Sequence, residues 1–350
     1  MEVHRDGTVE SRHRGHVVQV SGSGEVERAI GDPSTLVTLR SAVKPLGLVA
    51  LLESGAADEL AISMEELAVM AGSHTGEDKH VRTLQSVFRR ASLSQALLAC
   101  GAEGMPLDAR TAARLTRDRE PAGPVRHMCS GYHAALILLA RHAGWSLDDY
   151  SDPGHKSQLA VRDTVARLLG RKPASLPAMV DDCGAATYAV PLVDVARAFL
   201  LLADPEGVAT DEPRARSVPA LTRIRDAMMA APDLVGGTYE VMDTELMRRR
   251  PGQIVSKSGA EGLRGIGLAR ASRARGPVPA GLAVSIEDGD AAGRANRAVT
   301  MEALAQMGTL DELDLRAMAA FHRPVRRGPD GALVATAVPR FELAPIGELV

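Results

Sequence analysis

Ser41-Ala-Val-Lys44 places a hydroxyl and an amine three residues apart, a spacing that puts both on one face of a helix. A lysine with its ordinary pKa of about 10.4 is a poor base at neutral pH, but desolvation and a neighbouring cation both lower that value. A neutral Lys44 would take the Ser41 proton. The positive end of a helix starting here would favour the alkoxide and any oxyanion beside it. Taken alone, the tetrad reads as well as an N-capping serine followed by a solvated charge, so the chemical reading needs a partner elsewhere in the chain.

Lys257-Ser258-Gly259 is a candidate for that partner. A Lys-[Ser/Thr]-Gly strand accompanies Ser-x-x-Lys in the β-lactamase and penicillin-binding-protein architecture. Lys257 would supply the cation that depresses Lys44, and Gly259 would allow substrate close to the backbone; the alternative is that Gly259–Gly262 is a plain turn. Gly72-Ser-His-Thr-Gly-Glu77 is a polar, glycine-flanked loop, a common setting for site residues. Its Ser73 could pair with Lys257. His74 and His80 offer imidazoles, and His80, at a helix start, is read as structural. Two further clusters, His127-Met-Cys129-Ser-Gly-Tyr-His133 and Asp181-Asp-Cys183-Gly184, lack any Cys-x-x-Cys spacing. A reduced core thiol is the default for each cysteine, with zinc binding or thiol catalysis at Cys129 as alternatives.

The elements that must position these residues are legible in outline. His16–Val20 and Glu25–Ile30 flank Ser21-Gly-Ser-Gly24 and predict a hairpin. A buried helix is expected from about Val43, with Pro45 near its start and Gly55 past its end. Thr75-x-x-Asp78 fits a cap before a helix over His80–Leu98. Tyr132–His142, His155–Leu169, Pro191–Leu202, Val218–Ala230 and Ala291–Met307 read as helices, Leu282–Ile286 as a strand and Arg323–Pro339 as a hairpin or loop. The order predicts one α+β domain over 1–350, with a sheet from about 1–40 and 250–350 and a helical part over about 41–249.

Composition narrows the function classes. A net charge of −3 gives no reason to expect nucleic acid, and no apolar stretch approaches the length of a membrane span. The charged N-terminus has no signal-peptide run, and three widely spaced cysteines do not make a disulfide framework, so a soluble cytoplasmic protein is expected. Of 41 basic residues only Lys44, Lys79, Lys156, Lys172 and Lys257 are lysines. A lysine kept where arginine is the default can do what arginine cannot, which is lose its proton.

Arg40-Ser-Ala-Val-Lys-Pro45, Ser73-His-Thr-Gly-Glu77 with His80, His127-Met-Cys-Ser-Gly131 with His133, Asp181-Asp-Cys-Gly184 and Ser256–Gly262 together resemble the rhizobial-class, serine–lysine L-asparaginases in residue type, order and separation. The resemblance implies a penicillin-binding-protein-like serine hydrolase fold, a homodimer, and hydrolysis of L-asparagine or a related small amide. It implies that Ser41 pairs with Lys44 and Ser73 with Lys257, with Ser41 the nucleophile. Arg40, His74, Asp181, Gly259 and Glu261 are the expected substrate contacts. Cys129 and Cys183 match the family's zinc-ligating cysteines, but Tyr132 stands where the third, lysine ligand belongs, so no cofactor is required and zinc is expected only at low occupancy. Gly47, Met128 and Asp182 are further departures, from glutamine, asparagine and glycine. They cluster about the supposed zinc and pocket region, and set two alternatives beside asparaginase activity: an amidase or transacylase acting on another substrate, or a binding protein that has lost hydrolysis.

Overall fold

The computed structural model describes residues 1–101, 106–270 and 278–346. The expected hairpin is present as β3 (Gly15–Val20) and β4 (Val26–Ile30), with Ser21–Gly24 in the turn. It joins β8 (Ile254–Ser258), β9 (Leu263–Leu268), β10 (Ala280–Ile286) and β13 (Ala344–Pro345) in a six-stranded antiparallel sheet of order β13-β4-β3-β10-β9-β8. A second sheet, β11-β12-β1-β2, pairs β1 (Glu2–Arg5) and β2 (Thr8–Arg12) with the C-terminal hairpin β11 (Val325–Arg327) and β12 (Leu333–Val338). Both sheets thus unite the two ends of the chain around a largely helical middle, the α+β arrangement read from the sequence.

All seven residues of β10 are buried, because helices cover both faces of the six-stranded sheet. Val18, Val20, Val255 and Ala283 join the core of the helical part, while Val17, Ile254, Ile266, Leu282 and Val284 share a second core with the helix Arg294–Gln306. On the first face the helix Leu192–Ala203 lies so close that a Cβ at Gly267 would stand 2.1 Å from the Phe199 carbonyl oxygen, and one at Gly281 2.0 Å from that of Ala196. Only glycine permits that spacing.

Several expectations need correction. The helix of the Ser73 loop runs over Asp78–Arg90, not to Leu98. Ser92 takes a left-handed φ of +54°, Ser92 N–H donates to the Arg89 carbonyl and Leu93 N–H to that of Phe88, a Schellman stop built without glycine. Thr75 is not the cap; its hydroxyl donates to the Glu77 carboxylate, and Glu77 is the N-cap residue. The buried helix near Val43 is broken into a 3₁₀ turn Arg40–Val43 and short helices Lys44–Gly47 and Val49–Glu53. The helical middle also contains β6 (Ala178–Val180) and β7 (Ala186–Pro191), which pair with β5 (Leu36–Thr38) in a small third sheet. No helix among the described residues is long and apolar enough to cross a membrane.

Candidate active site

Each element at the site is pinned by its neighbours. The 3₁₀ turn Arg40–Val43 follows β5, and Leu39 N–H donates to the Tyr188 carbonyl of β7. The turn runs directly into the helix carrying Lys44, so Ser41 and Lys44 lie one turn apart, Ser41 half-buried and Lys44 only 2% exposed. The loop carrying Ser73 is tied down by backbone bonds from Ser73 to Val235, His74 to Met128 and Thr75 to Gly236. Lys257 lies on β8, 1% exposed, and its ammonium donates to the Ser258 carbonyl at 2.8 Å. Gly259 faces the Leu39 carbonyl, where a Cβ would stand at 2.7 Å. The β8–β9 turn therefore abuts the chain just before Ser41.

Lys44 Nζ donates to Ser73 Oγ at 2.9 Å and to Cys129 Sγ at 3.1 Å. The pairing expected between Ser73 and Lys257 is thus replaced by one between Ser73 and Lys44, because the loop clamps set Ser73 over the helix that carries Lys44. The expected bond between Ser41 and Lys44 is likewise not made: the Lys44 amine is taken up by Ser73 and Cys129, and among the described residues no group hydrogen-bonds Ser41 Oγ. Burial pushes Lys257 down to about 7; Lys44 and Arg264 act in the same direction, and Asp243, then Cys129, oppose them. Lys257 is therefore a lysine able to be neutral near physiological pH.

Arg40 has a left-handed φ of +47°. Its guanidinium bonds both carboxylate oxygens of Asp181, at 3.1 Å each, and Asp182 at 2.5 Å, and these carboxylates hold its pKa above the ordinary arginine value. Two carboxylates around one guanidinium leave the rim beside Ser41 net negative. Glu261 is exposed in the β8–β9 turn, with a φ of +56°. His74, an expected substrate contact, is fully enclosed. Its Nδ1 accepts from Gly76 N–H, so Nε2 donates to Ser130 Oγ, and burial, with His80 and Lys44 nearby, keeps the ring neutral. This imidazole anchors the Ser73 loop instead.

Cys129 and Cys183 are both buried and close enough that each shifts the other's thiol. Cys183 and the Lys44 ammonium lower the Cys129 pKa against burial, while Cys129 and burial raise that of Cys183, so a single proton on the pair resides on Cys183. Tyr132 is buried beside them, and its Oη has no hydrogen-bond partner among the described residues. A Cβ at Gly47 would lie 2.2 Å from that oxygen. Tyr132 and Gly47 are therefore a coupled pair: the phenol occupies the volume that any side chain at 47 would need. Burial raises the phenol pKa well above 10, so it offers no anionic donor; His133, bonded through Nδ1 to the Tyr150 hydroxyl, leaves its buried Nε2 without a partner among the described residues and does not join the two cysteines as a ligand set. No three His, Cys, Asp or Glu side chains among the described residues gather as metal ligands. The donor set does not fit the zinc implied by the resemblance.

Sequence reasoning missed Asp243, whose carboxylate takes bonds from Ser256 and Ser258 on either side of Lys257. No motif marks it; a lone acid in Met242-Asp-Thr244 carries no periodic or spacing signal.

The family described as L-asparaginase II matches residues 1–338. No curated protein matches the chain. Among solved structures, the chain is similar to the Bacillus subtilis glutaminase YbgJ in covalent complex with 5-oxo-L-norleucine, at 13% identity, covering 85% of this chain and 89% of that one, with a TM-score of 0.38. It is also similar to Mglu in its native form in 4.3 M NaCl, at 16% identity over 85% of this chain, with a TM-score of 0.36. The chain spans 61% of that Mglu chain.

Proposed function

The chain belongs to the L-asparaginase II family, and on that premise we propose that it is a serine amidohydrolase that cleaves the side-chain amide of L-asparagine or a related small amide. The observation that carries this reading is a buried Lys44 bonded to Ser73 and one turn from Ser41, with a second buried lysine, Lys257, near enough to feel its charge. Ser41 Oγ attacks the amide carbon and gives its proton to a neutral lysine. Ser73 and Lys44 return a proton to the departing nitrogen, which leaves as ammonia from the acyl-enzyme. Water then cleaves the ester, restoring Ser41 and releasing the carboxylic acid.

The net negative rim formed by Arg40, Asp181 and Asp182 supports a substrate that brings an ammonium group to that side. The Tyr132–Gly47 pair supports a second reading of the pocket, in which the amide differs from asparagine. Ammonia release from asparagine, glutamine and other small carboxamides distinguishes the two. Ser41→Ala should abolish release, and undiminished turnover in that variant refutes Ser41 as nucleophile.

A further inference from the structure

Lys257 is held from the side opposite Lys44. Asp243 lies in the helix Met242–Arg249 and is 4% exposed. Its Oδ1 accepts from Ser256 Oγ at 2.6 Å, and its Oδ2 from Ser258 N–H at 3.0 Å and Ser258 Oγ at 2.8 Å. β8 ends the six-stranded sheet, so Ser258 N–H has no further strand to meet, and the carboxylate satisfies it. Arg264 of β9 closes the network by donating to Asp243 and, at 2.9 Å, to Asn296. Asn296 in turn donates to the Gly262 carbonyl in the β8–β9 turn.

We propose that Asp243 is the positioning residue of Lys257: its buried carboxylate grips β8 on both sides of the lysine and is the fixed counter-charge to its amine. The inference rests on the reading of Lys257 as part of the catalytic group only for its consequence in turnover. The charged groups facing Lys257 are Asp243, Lys44 at the start of its helix, Cys129 ahead of the helix Ser130–His142, and Arg264. The helices Leu192–Ala203 and Val218–Ala230, also packed on β8, share its apolar core through Leu202 and Met228. Asp243 is thus the larger of two anions, with the Cys129 thiolate, that keep a lysine inside this pocket against Lys44, Arg264 and the apolar surroundings, and burial sets the opposing tendency. Burial also opposes the charge on Asp243 itself, but Arg264, Lys257 and the serine hydrogen bonds outweigh it, and its pKa falls to about 2. The carboxylate is charged throughout the range in which Lys257 titrates.

The chain has only five lysines, which makes the test direct. The full-length protein, labelled with [ε-13C]lysine, is titrated by NMR, and Lys257→Met assigns the lysine that titrates near 7. In Asp243→Asn that titration should fall by about one unit or more. Loosening of the structure alone would admit water and move it upward, toward the ordinary lysine value; an unchanged or raised value overturns the proposal. Asp243→Glu should bring the titration back toward that of the native protein. Ser256→Ala/Ser258→Ala keeps every charge and tests the grip even if Asp243→Asn does not fold: kcat should fall roughly tenfold or more with little change in KM. Unchanged kcat there overturns the grip. If Ser41→Ala still releases ammonia, the functional reading fails while the lysine titration continues to decide this one.

Discussion

Lys257→Met separates catalysis from stability in opposite directions. Methionine keeps most of the length of the side chain and removes the amine from a site 1% exposed to solvent. Lys257 falls from 10.5 to about 7 on folding, chiefly by desolvation, so the unfolded chain binds more protons between those values. Stability therefore rises with pH through that window; the penalty is fully present below about 7 and is gone above about 10.5. Integrated linkage gives a cost of about 5 kcal/mol at pH 6 and about 2 kcal/mol at pH 9, a difference near 3 kcal/mol from this one group. Chemical denaturation of both proteins at pH 6 and pH 9 reads that difference directly. The stability of Lys257→Met relative to the native protein should be about 3 kcal/mol more favourable at pH 6 than at pH 9, and ammonia release should be lost. An equal effect of the substitution at both pH values would refute the argument that Lys257 is a desolvated amine poised near neutrality.

The coupling between positions 47 and 132 is tested by a double-mutant cycle. Gly47→Ala drives a Cβ into the Tyr132 oxygen and should cost about 1–3 kcal/mol in denaturation, whereas Tyr132→Phe, which removes a buried and unpartnered hydroxyl, should be neutral or stabilising. In the Tyr132→Phe background Gly47→Ala should cost much less, and additive effects would count against the coupling. For the metal, purified protein should carry well under one zinc per chain, and Tyr132→Lys should raise occupancy in metal analysis; one tightly held zinc in the native protein would show that another donor completes the site.

The short-range features of this protein were legible because they are written in consecutive residues. Val218–Ala230 is a helix over the residues its periodicity indicated, and the β3–β4 hairpin follows from Ser21-Gly-Ser-Gly24. Helix ends were harder to read where an uncommon residue did the work, as Ser92 does in the left-handed stop after Arg90. The strand β6 was hidden inside the middle of the chain because three apolar residues between turns carry almost no period, and β7, six residues of ATYAVP, shows no clean alternation.

For the site, residue identities were readable from the chain alone: the serines, Lys44 and Lys257, the cysteines and Tyr132, where the resemblance leads one to expect a lysine. Which amine meets which hydroxyl was decided by packing. Ser73 bonds Lys44, 29 positions away, because the loop is clamped to residues 235 and 236, and Cys129 reaches the same amine across 85 positions. The void that lets Tyr132 sit against Gly47, and the Asp243 carboxylate beneath Lys257, likewise arise between segments far apart in the chain. Spacing along a chain fixes only the geometry of one helix turn or one strand; distances between elements, and the desolvation that shifts a lysine toward neutrality, exist only once those elements are packed together.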